Sequence, residues 1–256
     1  MNQKGNLARL SDTTIHDWYR MVYAYSDQII YDLVEEWEIS ESDLILDPFV
    51  GTGTTAVTAK SIGIDVIGAD ASPIAVLASR VKTNWDVDIQ EFQSTANSLI
   101  DTIEPVFTKI ELNQNSSLSS YTNKEYPKVD LGKYDLEKPE KTPEDWLSEV
   151  PRHKMLVLRH HIHQLTESVD IDDGVVDLLR VAMCAILPED VANVSFGPEA
   201  YKTTDQEDVR VLQYFENKVD NITNDLKYIQ TQIEQGRINP GGTEIFDADA
   251  RVISDK

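Results

Sequence analysis

The stretch Leu44-Ile-Leu-Asp-Pro-Phe-Val-Gly-Thr-Gly-Thr-Thr-Ala56 leaves this chain few ways to fold. Three apolar residues run into Asp47-Pro48, Gly51 and Gly53 bracket a tight turn, and Thr54 onward has the pattern of a helix. The spacing predicts a buried strand that passes through a glycine turn into a helix N-terminus. Such a turn aims backbone N–H groups and the positive end of a helix dipole beyond the strand's carboxyl end. Val66-Ile-Gly-Ala-Asp70 follows and reads as a second short strand ending in a carboxylate. A carboxylate there can accept hydrogen bonds from both hydroxyls of a ribose. Together the two strands and the helix make a nucleoside-binding βαβ unit.

Three ligands compete for such a unit. A triphosphate loop needs Gly-Lys-Ser/Thr, and Gly53 is followed by Thr54-Thr55, which excludes it. A dinucleotide loop fits loosely as Gly51-x-Gly53-x-x-Ala56, with Asp70 near the expected distance. Asp47 argues against it, because a pyrophosphate at this helix start would lie close to a like charge. The same carboxylate suits a cofactor with a cationic end. S-adenosyl-L-methionine carries an ammonium and a sulfonium, and is the expected ligand, with a dinucleotide as the alternative.

Asp47-Pro-Phe-Val-Gly-Thr-Gly-Thr-Thr55 resembles the cofactor loop of the DNA amino-methyltransferases, which methylate the exocyclic amino group of adenine or cytosine. Other patches are similar to the same family. His16-Asp-Trp-Tyr-Arg20 resembles the segment that covers the methionine end. Gly68-Ala-Asp-Ala-Ser-Pro73 resembles the ribose motif, and Lys82-Thr-Asn-Trp85 the end of the helix after it. Ser195-Phe-Gly-Pro-Glu-Ala-Tyr201 is similar to a helical insertion of one site-specific branch, and Phe246-Asp-Ala-Asp-Ala-Arg251 to the third cofactor motif.

The resemblance implies an α/β fold, a Rossmann-like methyltransferase sheet, incomplete here, with a helical insertion between its second and third strands. It implies methyl transfer from S-adenosyl-L-methionine to a base of double-stranded DNA, flipped out of the stack. Asp47 would face the methionine ammonium, and Pro48, Phe49, Gly51 and Gly53 would shape the loop. Thr54 and Thr55 would supply polar contacts. Asp70, with Ala71 and Ser72, would hold the ribose, and Asp249 the adenine, Asp247 being the competing candidate.

One departure outweighs these matches. The family holds its target amine with an (Asp/Ser/Asn)-Pro-Pro-(Tyr/Phe) motif, and nowhere in this sequence do two prolines stand together. Ser195-Phe-Gly-Pro-Glu199 lacks them too. In the branch this chain resembles, the motif comes shortly after the Asp-Ala-Arg segment, about where Lys256 stands. The expectation is therefore a cofactor-binding front portion, its catalytic half truncated or carried by a second chain, with no catalytic residue in this one. The rivals are a non-catalytic cofactor- or DNA-binding subunit, and a small-molecule methyltransferase or dinucleotide enzyme on the same architecture.

Charge bears on the partner. The chain has 45 acidic and 23 basic residues, a formal net charge of -22. That sign is wrong for a surface that grips phosphates. Either the basic residues lie in the absent half, or the acidity is proteome-wide, as in salt-loving organisms. The spread of the acids along the chain favours the second. One cysteine, Cys184, rules out an internal disulfide and suits a reducing compartment, and its apolar setting predicts an inert buried thiol. No apolar stretch approaches the roughly 20 residues that span a bilayer. A cytoplasmic protein without membrane contact is expected.

The remaining organisation follows the periodicity. We expect a helical lead-in and βαβ unit over 1–100, a helical insertion over 101–236 and a return strand over 237–256. Trp18, Met21, Val22, Tyr25, Ile29, Ile30, Leu33 and Trp37 predict one or two helices packed on one face. Ser72-Pro73 predicts a serine-capped helix. A helix near 89–110 precedes a loop around Asn113–Ser120, Pro139 and Pro143 punctuate the next stretch, and 174–187 is an apolar helix. Leu212, Phe215, Val219, Ile222, Leu226, Ile229 and Ile233 form a heptad-like stripe on a long one. Trp85 serves either the adenine side or the core. His153, His160, His161 and His163 lack the carboxylate or cysteine spacing of a metal site, and Asp170-Ile-Asp-Asp-Gly174 is out of register for calcium.

Overall fold

A computed structural model describes residues 10, 13–21, 24–114, 130, 134, 146–196 and 199–251. Its centre is a parallel sheet of β1 (Leu44–Asp47), β2 (Asp65–Asp70) and β5 (Thr243–Asp247), in the order β1-β2-β5. Helices α1 (Gln28–Glu36), α2 (Thr54–Ser61) and α3 (Pro73–Thr83) accompany it. This is the small Rossmann-like sheet expected, incomplete at three strands among the described residues. The chain divides into two compact units, one of residues 1–89 and 221–256, the other of 90–220.

In the first unit, Val50, Ala56, Ala59, Ile62, Ile64, Val66, Val76 and Ile245 form the core, with Tyr31 at its edge. Small residues make that packing close. At Gly68, in the middle of β2, an added Cβ would stand 2.8 Å from Ile245 Cδ1 and 2.9 Å from Val50 Cγ2. Gly63 ends α2 in the left-handed region, with φ +83°, as the sequence predicts. Pro73 occupies the first turn of α3. Arg80 then ties α3 to β5, donating from Nε and Nη2 to the Ile245 carbonyl at 3.0 and 2.8 Å.

The lead-in departs from expectation. Among the described residues between Thr13 and Trp37 there is one short turn of 3-10 helix, Ile15–Asp17, and then α1. Met21, Tyr25, Ile29 and Trp37 are exposed, not packed on a shared face, and Tyr25 precedes the helix (Val22 lies outside the described residues). Trp18 is buried, and its indole N–H donates to Asp225 Oδ2 at 2.8 Å. Thr14 donates to the same oxygen from its N–H at 3.0 Å and its hydroxyl at 2.9 Å. Lys82, fully buried, donates from Nζ to the carbonyls of His16 and Tyr19. Trp85 belongs to the core, donating from Nε1 to the Lys82 carbonyl at 2.8 Å.

A second departure concerns β1. Its apolar run predicts burial on both faces, yet Leu44 and Leu46 are exposed and Ile45 alone packs on the core.

Ser79, at the middle of α3, is fully buried and its hydroxyl has no hydrogen-bond partner. Replacing it with alanine removes an unsatisfied group. We expect Ser79→Ala to be neutral or stabilising by up to about 1 kcal/mol. Ser79→Val, which overpacks the helix against Gly53, should cost about 1–3 kcal/mol in the same thermal melts.

The second unit is mainly helical. It contains α4 (Ile89–Gln114), which accommodates Pro105, α5 (Glu149–Leu165) and α6 (Asp173–Ile186). Helix α7 (Val211–Glu234) starts in this unit and ends in the first. The predicted stripe on α7 is buried at Phe215, Val219, Ile222, Leu226 and Ile229. Asp172 caps α6, accepting from the Gly174 N–H at 2.8 Å. Inside the unit, buried Lys154 pairs with Asp208 at 2.6 Å and Glu111 at 2.7 Å. Within Ser195 to Tyr201, read as a turn-rich connection, the described residues belong to β3 (Val194–Phe196) and β4 (Ala200–Lys202), which pair antiparallel, or lie next to them. Most of the predicted loop from Asn113 to Ser120 lies outside the described residues, as do Pro139, Pro143, Gly197 and Pro198. Among the described residues no helix is long and apolar enough to cross a membrane, and no cluster of His, Cys, Asp and Glu is placed to hold a metal.

Candidate cofactor site

The carboxyl ends of the three strands converge. Asp47, last in β1, lies opposite Gly68 of β2; Asp70, last in β2, lies opposite Asp247 of β5. The loop from Pro48 to Gly53 runs across these ends. Its fold is fixed by the Val50 N–H, which donates to the Ala69 carbonyl at 2.9 Å, and the Gly53 N–H, which donates to Val50 at 2.9 Å. Gly51 and Gly53 both adopt positive φ, +54° and +89°. At Gly53 space forbids a side chain as well, since a Cβ would stand 2.7 Å from Ser79 Oγ. Thr54, buried, then opens α2.

Asp47 is held from two directions. Oδ1 accepts the Phe49 N–H at 3.0 Å, and Oδ2 accepts the Thr55 hydroxyl at 2.6 Å. The Thr55 hydroxyl has only one proton to give, so toward Tyr25 its oxygen is the acceptor, and the Tyr25 phenol donates to it. Burial, and the charge of Asp47, push the Tyr25 phenol above its ordinary range and keep it a donor. Tyr25 was invisible as a site residue in the sequence, where its spacing placed it on a helix face. Nothing local marks it, because its partner lies thirty positions away.

Asp70 joins the loop to the start of α3. Oδ2 accepts the Gly51 N–H at 3.0 Å, and Oδ1 accepts the Ser72 N–H at 2.8 Å. A carboxylate has about four acceptor positions, which leaves one on each oxygen for a pair of hydroxyls. Ser72 stands at the N-cap position of α3, but contrary to expectation its side chain makes no capping bond. Ala71 is exposed beside it, and Pro48 is half-buried. Phe49, 75% exposed, projects from the loop.

The third acidic position differs from its prediction. β5 ends at Asp247, so Asp249 lies in the turn beyond the strand, and alternation does not relate the two. Arg251 engages both oxygens of Asp249, with Nε 2.9 Å from Oδ1 and 3.1 Å from Oδ2 and with Nη2 also on Oδ2. Those bonds hold the Asp249 carboxyl down at about 2.

Residues 47–55 and 70–72 contain no Lys or Arg. The edge thus offers two anchored carboxylates and a glycine turn at a helix start. That donor set fits a nucleoside with a cationic tail better than one with a pyrophosphate.

Comparison with known proteins finds relatives of the segment that carries this loop. Residues 20–80 match the family described as DNA methylase. Over 99 residues the chain is 38% identical to the Type II methyltransferase M.BsoBI of Geobacillus stearothermophilus, covering 38% of this chain and 19% of that protein. Over 75 residues it is 37% identical to the Type II methyltransferase M.MjaII of Methanocaldococcus jannaschii, covering 28% of this chain and 14% of the relative. The matched segment is therefore a small part of each relative's length. No solved structure matches the chain.

Proposed function

We propose, from the premise that residues 20–80 of this chain belong to the DNA amino-methyltransferase family, that the β1–β2 edge binds S-adenosyl-L-methionine for methylation of a DNA base. The observation that carries the reading is Asp70, fixed by two backbone N–H groups and still open to two hydroxyls. Bound there, the cofactor supplies an electrophilic methyl group on its sulfonium.

The chain's own residues bind and orient. Asp70 accepts the ribose hydroxyls, with Ala71 and Ser72 beside it. Asp47, pinned by Phe49 and Thr55, offers its remaining acceptor positions to the ammonium. Gly51 and Gly53 let the backbone approach, and Pro48 and Thr54 set the ends of the turn. Of the two acids proposed for the adenine, Asp249 acts only where Arg251 yields, whereas Asp247 ends β5 exposed opposite Asp70.

The acceptor is the exocyclic amino group of adenine or cytosine, presented by a base flipped from double-stranded DNA. The sequence has no adjacent prolines, so the groups that grip this amine are supplied by polypeptide outside these 256 residues, in a companion chain or a further segment. The roles assigned to residues of this chain are therefore those of cofactor binding.

Calorimetric titration of the purified chain tests the reading, in about 1 M salt to screen its acidity. S-adenosyl-L-methionine is expected to bind saturably, and NADH not at all. Tight NADH binding without S-adenosyl-L-methionine binding overturns the assignment in favour of a dinucleotide. Tyr25→Phe keeps the ring and removes one neutral donor from the Asp47 relay. It should weaken cofactor binding about threefold and leave the melting temperature unmoved.

A further inference from the structure

The second unit holds a groove of about 370 Å³ between α4, the end of α5 and the loop before α6. One wall is a stripe of hydroxyls on α4, Ser94, Ser98 and Thr102, each four residues from the next. The stripe is about 12 Å long, in steps of about 6 Å. The other wall carries His161 and Gln164, and Leu99, Leu165 and Ile171 supply apolar surface. Asp172 donates its N–H to Glu91 Oε1 at 3.1 Å, which ties the loop carrying Ile171 to α4.

The polar groups of this groove are biased toward accepting. The Ser94 hydroxyl donates to the Glu91 carbonyl at 3.1 Å, and the Thr102 hydroxyl to the Ser98 carbonyl at 2.7 Å. Their protons are thereby committed, and each oxygen keeps lone pairs for a ligand. His161 Nδ1 lies 2.8 Å from the Val157 carbonyl, which can only accept, so in the neutral ring Nε2 carries the lone pair. The rings of Tyr134 and His160 pack against that imidazole, with centroids 5.9 and 5.4 Å away, and hold its plane. The charge has the same sense. No Lys, Arg or His occurs over residues 83–108 or 164–179, while Asp101, Glu167, Asp170 and Asp172 stand exposed on those segments. An anionic ligand is therefore repelled, and a cation rich in N–H donors is attracted.

We propose that this groove binds an aliphatic oligoamine of the spermidine class, its ammonium groups along the Ser94, Ser98 and Thr102 stripe and its methylenes on Leu99, Leu165 and Ile171. A four-carbon spacer separates two ammonium nitrogens by one step of that stripe, about 6 Å. His161 Nε2 accepts from one of them. A bare divalent ion suits the groove less well, since such ions take carboxylates and none lines it. The site lies within residues 90–220 and does not rest on the cofactor reading.

The probe is spermidine, titrated into the full chain by calorimetry at about 0.15 M salt, with amide exchange of residues 94–102 and 161–171 on the same preparation. Magnesium at matched ionic strength is the control for general attraction to an acidic surface. Spermidine is expected to bind one-to-one and to slow exchange along both segments, and magnesium to do neither. Ser98→Lys sets an ammonium on the stripe and should weaken spermidine at least about tenfold. Asn97→Lys adds the same charge on α4, exposed but off the groove, and should change binding less than about twofold. His161→Phe keeps a ring against Tyr134 without the acceptor nitrogen and should cost about fivefold. Melting temperature and S-adenosyl-L-methionine binding are expected to hold in all three. Absence of saturable spermidine binding overturns the proposal. So does equal weakening by Ser98→Lys and Asn97→Lys, or magnesium binding that matches spermidine, either of which assigns the effect to the acidic surface as a whole.

Discussion

Asp70→Ala is expected to weaken S-adenosyl-L-methionine by about 100-fold or more, about 2.7 kcal/mol, with the sheet still folded. Two losses combine. The ribose loses an ionised acceptor for both hydroxyls, each charge-assisted bond being worth about 1.5–3 kcal/mol. The glycine loop also loses the 3.0 Å bond that fixes the Gly51 N–H, and the α3 turn loses the 2.8 Å bond at Ser72. The loop then has to be ordered by the ligand. Asp70→Asn separates the two effects, because the amide retains one acceptor oxygen but not the charge. It should fall between wild type and alanine. Calorimetry at high salt, beside circular dichroism, makes the check. An alanine variant that binds as tightly as wild type would place the ribose elsewhere.

Asp225→Ala should destabilise the first unit by about 3 kcal/mol, the largest stability effect anticipated for a single exposed-looking acid in the sequence. Asp225 is 7% exposed, and one oxygen accepts three hydrogen bonds, from the Thr14 N–H, the Thr14 hydroxyl and the Trp18 indole. Without it the indole N–H of Trp18, which is 1% exposed, is buried with no acceptor. An unpaired buried donor costs about 1–3 kcal/mol in addition to the bonds themselves. Asp225→Asn keeps an oxygen at that place and should cost about half as much. Urea unfolding followed by amide exchange resolves the two units. The expected loss of protection falls on residues 44–70 and 243–247, with α5 and α6 unchanged. A loss below about 0.5 kcal/mol would mean that Thr14 and Trp18 find other acceptors.

Where a stretch of chain decides its own conformation, sequence and structure agree. Leu44 to Ala56 becomes strand, turn and helix because Gly51 and Gly53 alone tolerate the positive φ the turn requires. Pro73 starts α3, Gly63 stops α2, and the stripe from Phe215 to Ile229 is buried along α7. That Asp47 and Asp70 end adjacent strands beside the glycine turn was legible for the same reason.

The rest needed the tertiary structure. Tyr25 meets Thr55, and Asp225 meets Thr14 and Trp18, across separations that carry no periodic signal. Ser72 has the composition of a cap, yet its hydroxyl makes no capping bond and its own N–H goes to Asp70. Asp249 is drawn to Arg251 just where β5 stops. Apolar pattern records that Leu44 and Leu46 require cover. It does not record what covers them, because burial is a property of the neighbours that packing brings, and along β1 those neighbours are not among the residues of this sheet.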